Sequence, residues 1–185
     1  MNWIELSASK ITKTIHKNYP YAASEKVLIY SLSLLINTLT AVLATLLFCF
    51  FTGHLSEAII TIMTFLLLRY ISGGFHLKSS VACCIFSTCL LIGLSHVNFE
   101  YLKYGLILDI ASIIIFLFKA PEGLENVSRI NPKFYPLLKI LSVLCVGTNL
   151  YLHYSLLSAI FIAQAFTLTK FGYLFASLLE RRWRS

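Results

Sequence analysis

The chain has 185 residues, 58% of them hydrophobic and only 12% charged, with a mean hydropathy of +0.79. A soluble domain of this size cannot bury that much apolar surface, so lipid must be the solvent for much of it. The net charge of +7 argues for no nucleic-acid partner, because the bases punctuate apolar segments and form no stripe. No linker, low-complexity tract or fixed-period repeat divides residues 1–185, so one membrane-embedded domain is expected.

Residues 3–19 set Ile4, Ala8, Ile11, Ile15 and Tyr19 at steps of three and four, with Lys10, Lys13 and Lys17 mostly opposite. This pattern predicts an amphipathic helix over residues 1–20, lying on the membrane surface and ended by Pro20. The same stretch lacks a continuous apolar core, so no secretory signal peptide is expected. The helical body covers 27–179. Residues 27–51 carry no charge and are long enough to span. After the polar break at 52–57, residues 58–68 form a short apolar run that must borrow its flanks. Residues 81–97, 104–118, 137–152 and 155–179 supply four more segments, the last two joined by a tight His153-Tyr154 turn. The expected fold is therefore all-α and polytopic, about six transmembrane helices preceded by the interfacial helix.

Charge placement supports that count. With a cytosolic N-terminus, thirteen of the fifteen basic residues fall on the inside, Lys103 lies outside and Lys170 sits within the sixth segment. Both termini and the loops 69–80 and 119–136 are thus expected in the cytosol of a multi-pass cell-membrane protein. Asp109 in the fourth segment is expected to snorkel to the outer interface. His96 and His153 fall near outer ends. Asn37, Asn149 and Gln164 are expected to hydrogen-bond between helices.

Five cysteines, Cys49, Cys83, Cys84, Cys89 and Cys145, show no CxxC or ordered Cys/His spacing. Neither a metal nor an organic cofactor is implied. Chemistry concentrates at the boundary of the second and third segments, where Gly73-Gly74 precede His76 and a thiol follows seven residues later. Cysteine hydrolases need a thiolate and an imidazole to take and return its proton. On one straight helix, residues seven apart stand about 10 Å apart along the axis, far beyond the roughly 3 Å of a proton transfer. His76 must then sit on a loop that folds back over the helix bearing Cys83, and the paired glycines permit that turn. Cys84 is turned about 100° from Cys83, so only one of the two thiols faces such a loop. Taken alone, a His and a Cys at this spacing also fit a glycine turn beside a packed thiol.

The pattern Arg69-x3-Gly73-Gly74-x-His76-x6-Cys83 resembles the signature of the accessory gene regulator B family, AgrB. A looser match is Ala120-Pro121-x4-Asn126, with Gly123 where an acid is common and Val127-Ser128 in place of a usual Lys-Pro. The resemblance implies a membrane cysteine endopeptidase of quorum sensing, with Cys83 the nucleophile and His76 the general base and then acid. It would cleave the acidic C-terminal tail from an AgrD-like propeptide, leaving an acyl-enzyme thioester. An internal Cys or Ser of the peptide would then close a thiolactone or lactone ring. Arg69 (an inside anchor or a carboxylate holder), Gly73, Gly74, Ser79, Ser80 and Asn126 are expected to bind substrate or shape the site. A homodimer stays open. The reading from another class is a small transporter or peptide export channel, which glycine breaks inside helices would favour.

Overall fold

A computed structural model describes residues 3–77, 79–123 and 130–184, the side chains of 182–184 excepted. Helix α1, Trp3–Asn18, has Glu5 in its first turn and His16 and Lys17 in its last, each matching the helix dipole. It docks on α2 through Ile4, Ala8 and Thr12, one flank of the expected apolar stripe. Trp3 and Ile11 stay exposed on the other flank, as does Tyr19 beyond the helix.

Helix α2, Glu25–Thr52, shows how one sequence sorts its own faces. Ser33, Asn37, Ala41, Thr45 and Cys49 recur every four residues and are buried. Leu35, Leu39, Leu43 and Leu47 recur at the same spacing and are exposed. Small side chains on the inner stripe let α4 approach closely, while leucines meet lipid. Gly53, at φ +77°, ends the helix by returning its N–H to Cys49 and Phe50 carbonyls.

Helix α3 runs Leu55–Ser72 and α4 runs Ser80–Ser95. A π-helical turn, Tyr101–Gly105, leads into α5, Leu106–Lys119. A short 3-10 turn, Pro132–Phe134, leads into α6, Tyr135–Gly147, and α7, Asn149–Leu152. Helices α8, Ser155–Thr167, and α9, Lys170–Arg184, follow. His153, in the left-handed region at φ 55°, makes the expected tight turn between α7 and α8.

Helix α8 is the axis of the bundle. Its Leu156, Ala159 and Ile160 pack with Ile62, Phe65, Leu91 and Leu94. Further along, its Phe161 and Ala165, with Leu168 just beyond, pack with Leu68, Phe116 and Val146.

Among the described residues four helical stretches are long and apolar enough to cross a membrane: Glu25–Thr52, Leu55–Ser72, Tyr101–Lys119 and Pro132–Leu152. The second of these extends well beyond the short run 58–68. The expected last segment is a pair, Ser155–Thr167 and Lys170–Arg181, bent by 75°. The expected third segment is the 16-residue α4, about 24 Å long against a hydrocarbon core of about 30 Å. The chain is therefore a helical protein with four or five apolar helices of spanning length.

Asp109 departs from expectation. It is fully buried, accepting hydrogen bonds from Tyr101 Oη at 2.8 Å and Asn149 Nδ2 at 2.9 Å. Donors supplied inside the bundle serve Oδ2, while among the described residues no partner reaches Oδ1. Asn149 also donates to Ser158 Oγ at 2.9 Å and to the Tyr154 carbonyl at 3.1 Å. This buried knot ties α5 to the α7–α8 turn.

Candidate active site

The site is assembled where α3 ends. Gly73 lies at φ 76° and Gly74 at φ 119°, conformations that L side chains resist. Gly74 N–H donates to the Glu122 carbonyl at 2.8 Å, and Glu122 N–H to the Ser72 carbonyl at 3.0 Å. These bonds form a one-rung parallel bridge between the Gly-Gly turn and the segment after α5. The two sequence motifs are thus one structural unit. Gly123, where an acid is common, lies at φ 74°, and a Cβ there would stand 3.1 Å from Tyr173 Oη. Asn126 lies outside the described residues.

Helix α8 holds the turn from the other side. Gln164 Nε2 donates to Ser72 Oγ at 3.0 Å and to the Gly73 carbonyl at 2.8 Å. The break after Thr167 leaves that residue's carbonyl free, and Phe75 N–H donates to it at 3.2 Å. Arg69 completes the clamp: its guanidinium donates to the Phe75 carbonyl, and Nη1 to Thr167 Oγ1 at 3.3 Å. Sequence reasoning missed Thr167, and took Gln164 for an ordinary interhelical bond. The available signal was a long polar side chain in an apolar segment.

Phe75 and Leu77 are buried against Ala82 of α4 and Ala176 of α9, while His76 between them is not. Ser79 caps α4, accepting from Ala82 N–H at 3.4 Å. Cys83 follows in the first turn of α4, its N–H donating to the Ser79 carbonyl at 3.0 Å. His76 and Cys83 both line two adjoining cavities of about 90 and 210 Å³ between α2, α3 and α4. Arg69 lines the first and Ser80 the second. Cys84 faces α2, where it is buried and lies 3.9 Å from the Asn37 carbonyl. Cys89 is exposed.

His76 keeps exposed surface, yet the surrounding protein displaces much of the water around its ring. That burial, with the positive charge of Arg69 added, pushes its pKa down to about 4. The imidazole is therefore neutral near pH 7 and able to accept a proton. The walls around it, Leu34, Phe65, Leu66, Phe86 and Leu90 among them, are apolar. Chemically the arrangement offers a thiol, a neutral imidazole and a cleft with mostly apolar walls. Among the described residues no group of three or more His, Cys, Asp or Glu side chains could hold a metal.

Apolar helices of spanning length around a cleft lined by His and Cys define a multi-pass membrane protein with a thiol and an imidazole at one helix boundary. The chain belongs to the accessory gene regulator B family, whose model matches residues 8–179. That membership links it to the agr quorum-sensing system, in which the family acts with an AgrD-type propeptide. Comparison with curated proteins gives no match, and comparison with solved structures gives none.

Proposed function

We propose that the protein is a membrane cysteine endopeptidase that cleaves the C-terminal tail of an AgrD-type propeptide and promotes its cyclisation. The observation that carries this reading is that His76, brought back by the Gly73-Gly74 turn, lines the same cavities as Cys83 while Cys84 faces α2. His76 takes the thiol proton and Cys83 sulfur attacks the scissile carbonyl carbon. As the C–S bond forms and the C–N bond breaks, His76 returns the proton to the leaving amine. A Cys or Ser of the peptide then attacks the thioester, freeing Cys83 and closing the ring. The apolar walls favour this second step by limiting water.

Arg69 acts first as a positioning residue, since two of its five donors hold the loop; the others remain for a substrate carboxylate. A basic cytosolic face suits an acidic propeptide tail. In this reading α4 crosses as the third of six segments by including its flanks, and α1 lies on the cytosolic surface. The break between α8 and α9 might be expected of a transport pathway, but its freed carbonyl holds Phe75 instead. This favours the peptidase over the export channel.

The test uses purified protein in lipid with propeptide and a thiol-reactive trap. Cys83→Ala and His76→Ala should each abolish cleavage, and Cys84→Ala should keep most of it. Activity that survives in Cys83→Ala but vanishes in Cys84→Ala would overturn the assignment.

A further inference from the structure

Two polar side chains of α2 stand at the cavity with bonding capacity unused. Ser33 and Asn37 are only 8% and 6% exposed. Among the described residues no partner reaches Ser33 Oγ or Asn37 Oδ1. Both line the larger cavity with His76, Ser80 and Cys83, and Asn37 lines the smaller one too. Their neighbours behave differently. Thr38, Thr40 and Thr45 on the same helix return their hydroxyls to carbonyls four residues back. The buried amide of Asn149 uses both its nitrogen and its oxygen, bonding to Asp109, Ser158 and Tyr154, as expected of polar groups in lipid. Asn37 does not fulfil that expectation through its amide oxygen, and only its backbone carbonyl meets Cys84 Sγ.

A buried polar atom without a partner costs free energy, so such atoms mark places where something is missing. Here the missing group belongs in a cavity shared with a thiol and an imidazole. When the thiolate attacks a peptide carbonyl, the π electrons move onto oxygen and need a hydrogen-bond donor in a water-poor cleft. The N–H of Cys83 donates to the Ser79 carbonyl and that of Ala82 to Ser79 Oγ, so neither is spare, and the Asn37 carboxamide is a side-chain donor lining the same cavity. Turning that carboxamide by 180° loses no bond at its oxygen.

We propose that the Asn37 carboxamide donates the hydrogen bond that stabilises the oxyanion formed when Cys83 attacks the scissile carbonyl. Ser33 Oγ, one helical turn away on the same face, provides a second polar contact to the same peptide. This inference rests on the peptidase reading above and adds to it a catalytic residue from α2, far in sequence from the His-Cys motif.

The experiment compares wild type, Asn37→Leu, Asn37→Asp and Cys83→Ala in single-turnover cleavage of propeptide. In parallel, alkylation of Cys83 by iodoacetamide is followed at its own peptide by mass spectrometry. Loss of one oxyanion donor should slow acylation about 100- to 1,000-fold, with KM little changed. Asn37→Asp has the shape of Asn37 but no NH2, so it should be as slow as Asn37→Leu. Alkylation displaces iodide and forms no oxyanion, so its rate should hold in Asn37→Leu. In Asn37→Asp, whose carboxylate disfavours the thiolate, it should fall far less than cleavage does. An Asn37→Asp protein as active as wild type would overturn the donor role. So would alkylation that slows in step with cleavage, which would mean that Asn37 acts through His76 or the fold. If Asn37→Leu does not fold, the isosteric Asp variant decides. Cleavage by Cys83→Ala would sink the peptidase reading itself. An inactive Cys83→Ala beside an Asn37→Leu of wild-type rate would sink the Asn37 inference alone.

Discussion

A general base for a thiol must be unprotonated at working pH, and His76 meets that condition with its pKa held down to about 4 by enclosure and then by Arg69. The acid limb of the activity profile should therefore fall near pH 4, well below the ordinary 6.5 of histidine. A limb at 6.5 in the pH dependence of cleavage would contradict the enclosed geometry. Stability follows the same sign. Between about 6.5 and 4 the unfolded chain binds a proton at this position and the folded chain does not. The stability this group contributes is thus present above 6.5 and lost as pH falls toward 4. Gly74 gives a second residue-scale prediction. A Cβ there would collide with Thr167 Oγ1 and Arg69 Nη1, at a φ of 119° that L residues avoid. Gly74→Val should abolish cleavage while membrane expression holds, because the strain, roughly 1–3 kcal/mol, falls on the turn that returns His76. Normal cleavage by the variant would show that the turn is not needed.

Among the elements, α8 links the site to the opposite end of the bundle. Near the site its Gln164 and Thr167 hold the Gly-Gly turn and Arg69. Thr167→Val keeps the shape of the side chain and deletes the oxygen that receives Arg69 Nη1. Cleavage should drop severalfold, with a stability loss of only about 1 kcal/mol. An unchanged rate constant would remove Thr167 from the clamp. Beside the start of α8, Asn149 of α7 supplies hydrogen bonds to Asp109, Ser158 and the Tyr154 carbonyl. Asn149→Leu strips a buried carboxylate of one donor and should destabilise the protein by roughly 1–3 kcal/mol or more. Thermal unfolding in detergent measures this directly, and an unchanged midpoint would show that the knot is not structural.

For the whole molecule, the proposed orientation follows from charge asymmetry. Tyr21, in the turn between α1 and α2, is 92% exposed, and Tyr151, beside the α7–α8 turn, is 87% exposed. With cytosolic termini, a cysteine placed at Tyr151 should react with an impermeant maleimide added to intact cells. One placed at Tyr21 should react only after lysis. The opposite pattern would invert the topology and remove access to a cytosolic propeptide.

The apolar helical segments were legible along the chain, because insertion into lipid depends on local hydropathy. The motif Arg69 to Cys83 was legible too, and so was the need for a loop to bring His76 back, since helical rise alone forbids contact at seven residues. Tertiary contacts decided the rest. Asp109 reads as a costly charge near a helix end until Tyr101 and Asn149 are seen to receive it. The kink after Thr167 reads as one continuous segment, because the hydrogen bond that its freed carbonyl receives comes from Phe75, over ninety residues earlier. Asn37 reads as an interhelical glue residue until its amide oxygen is found without a partner in the cavity of His76 and Cys83. Periodicity reports which face of a helix is buried. It carries no term for what that face meets, because the meeting groups are set by packing between segments distant in sequence.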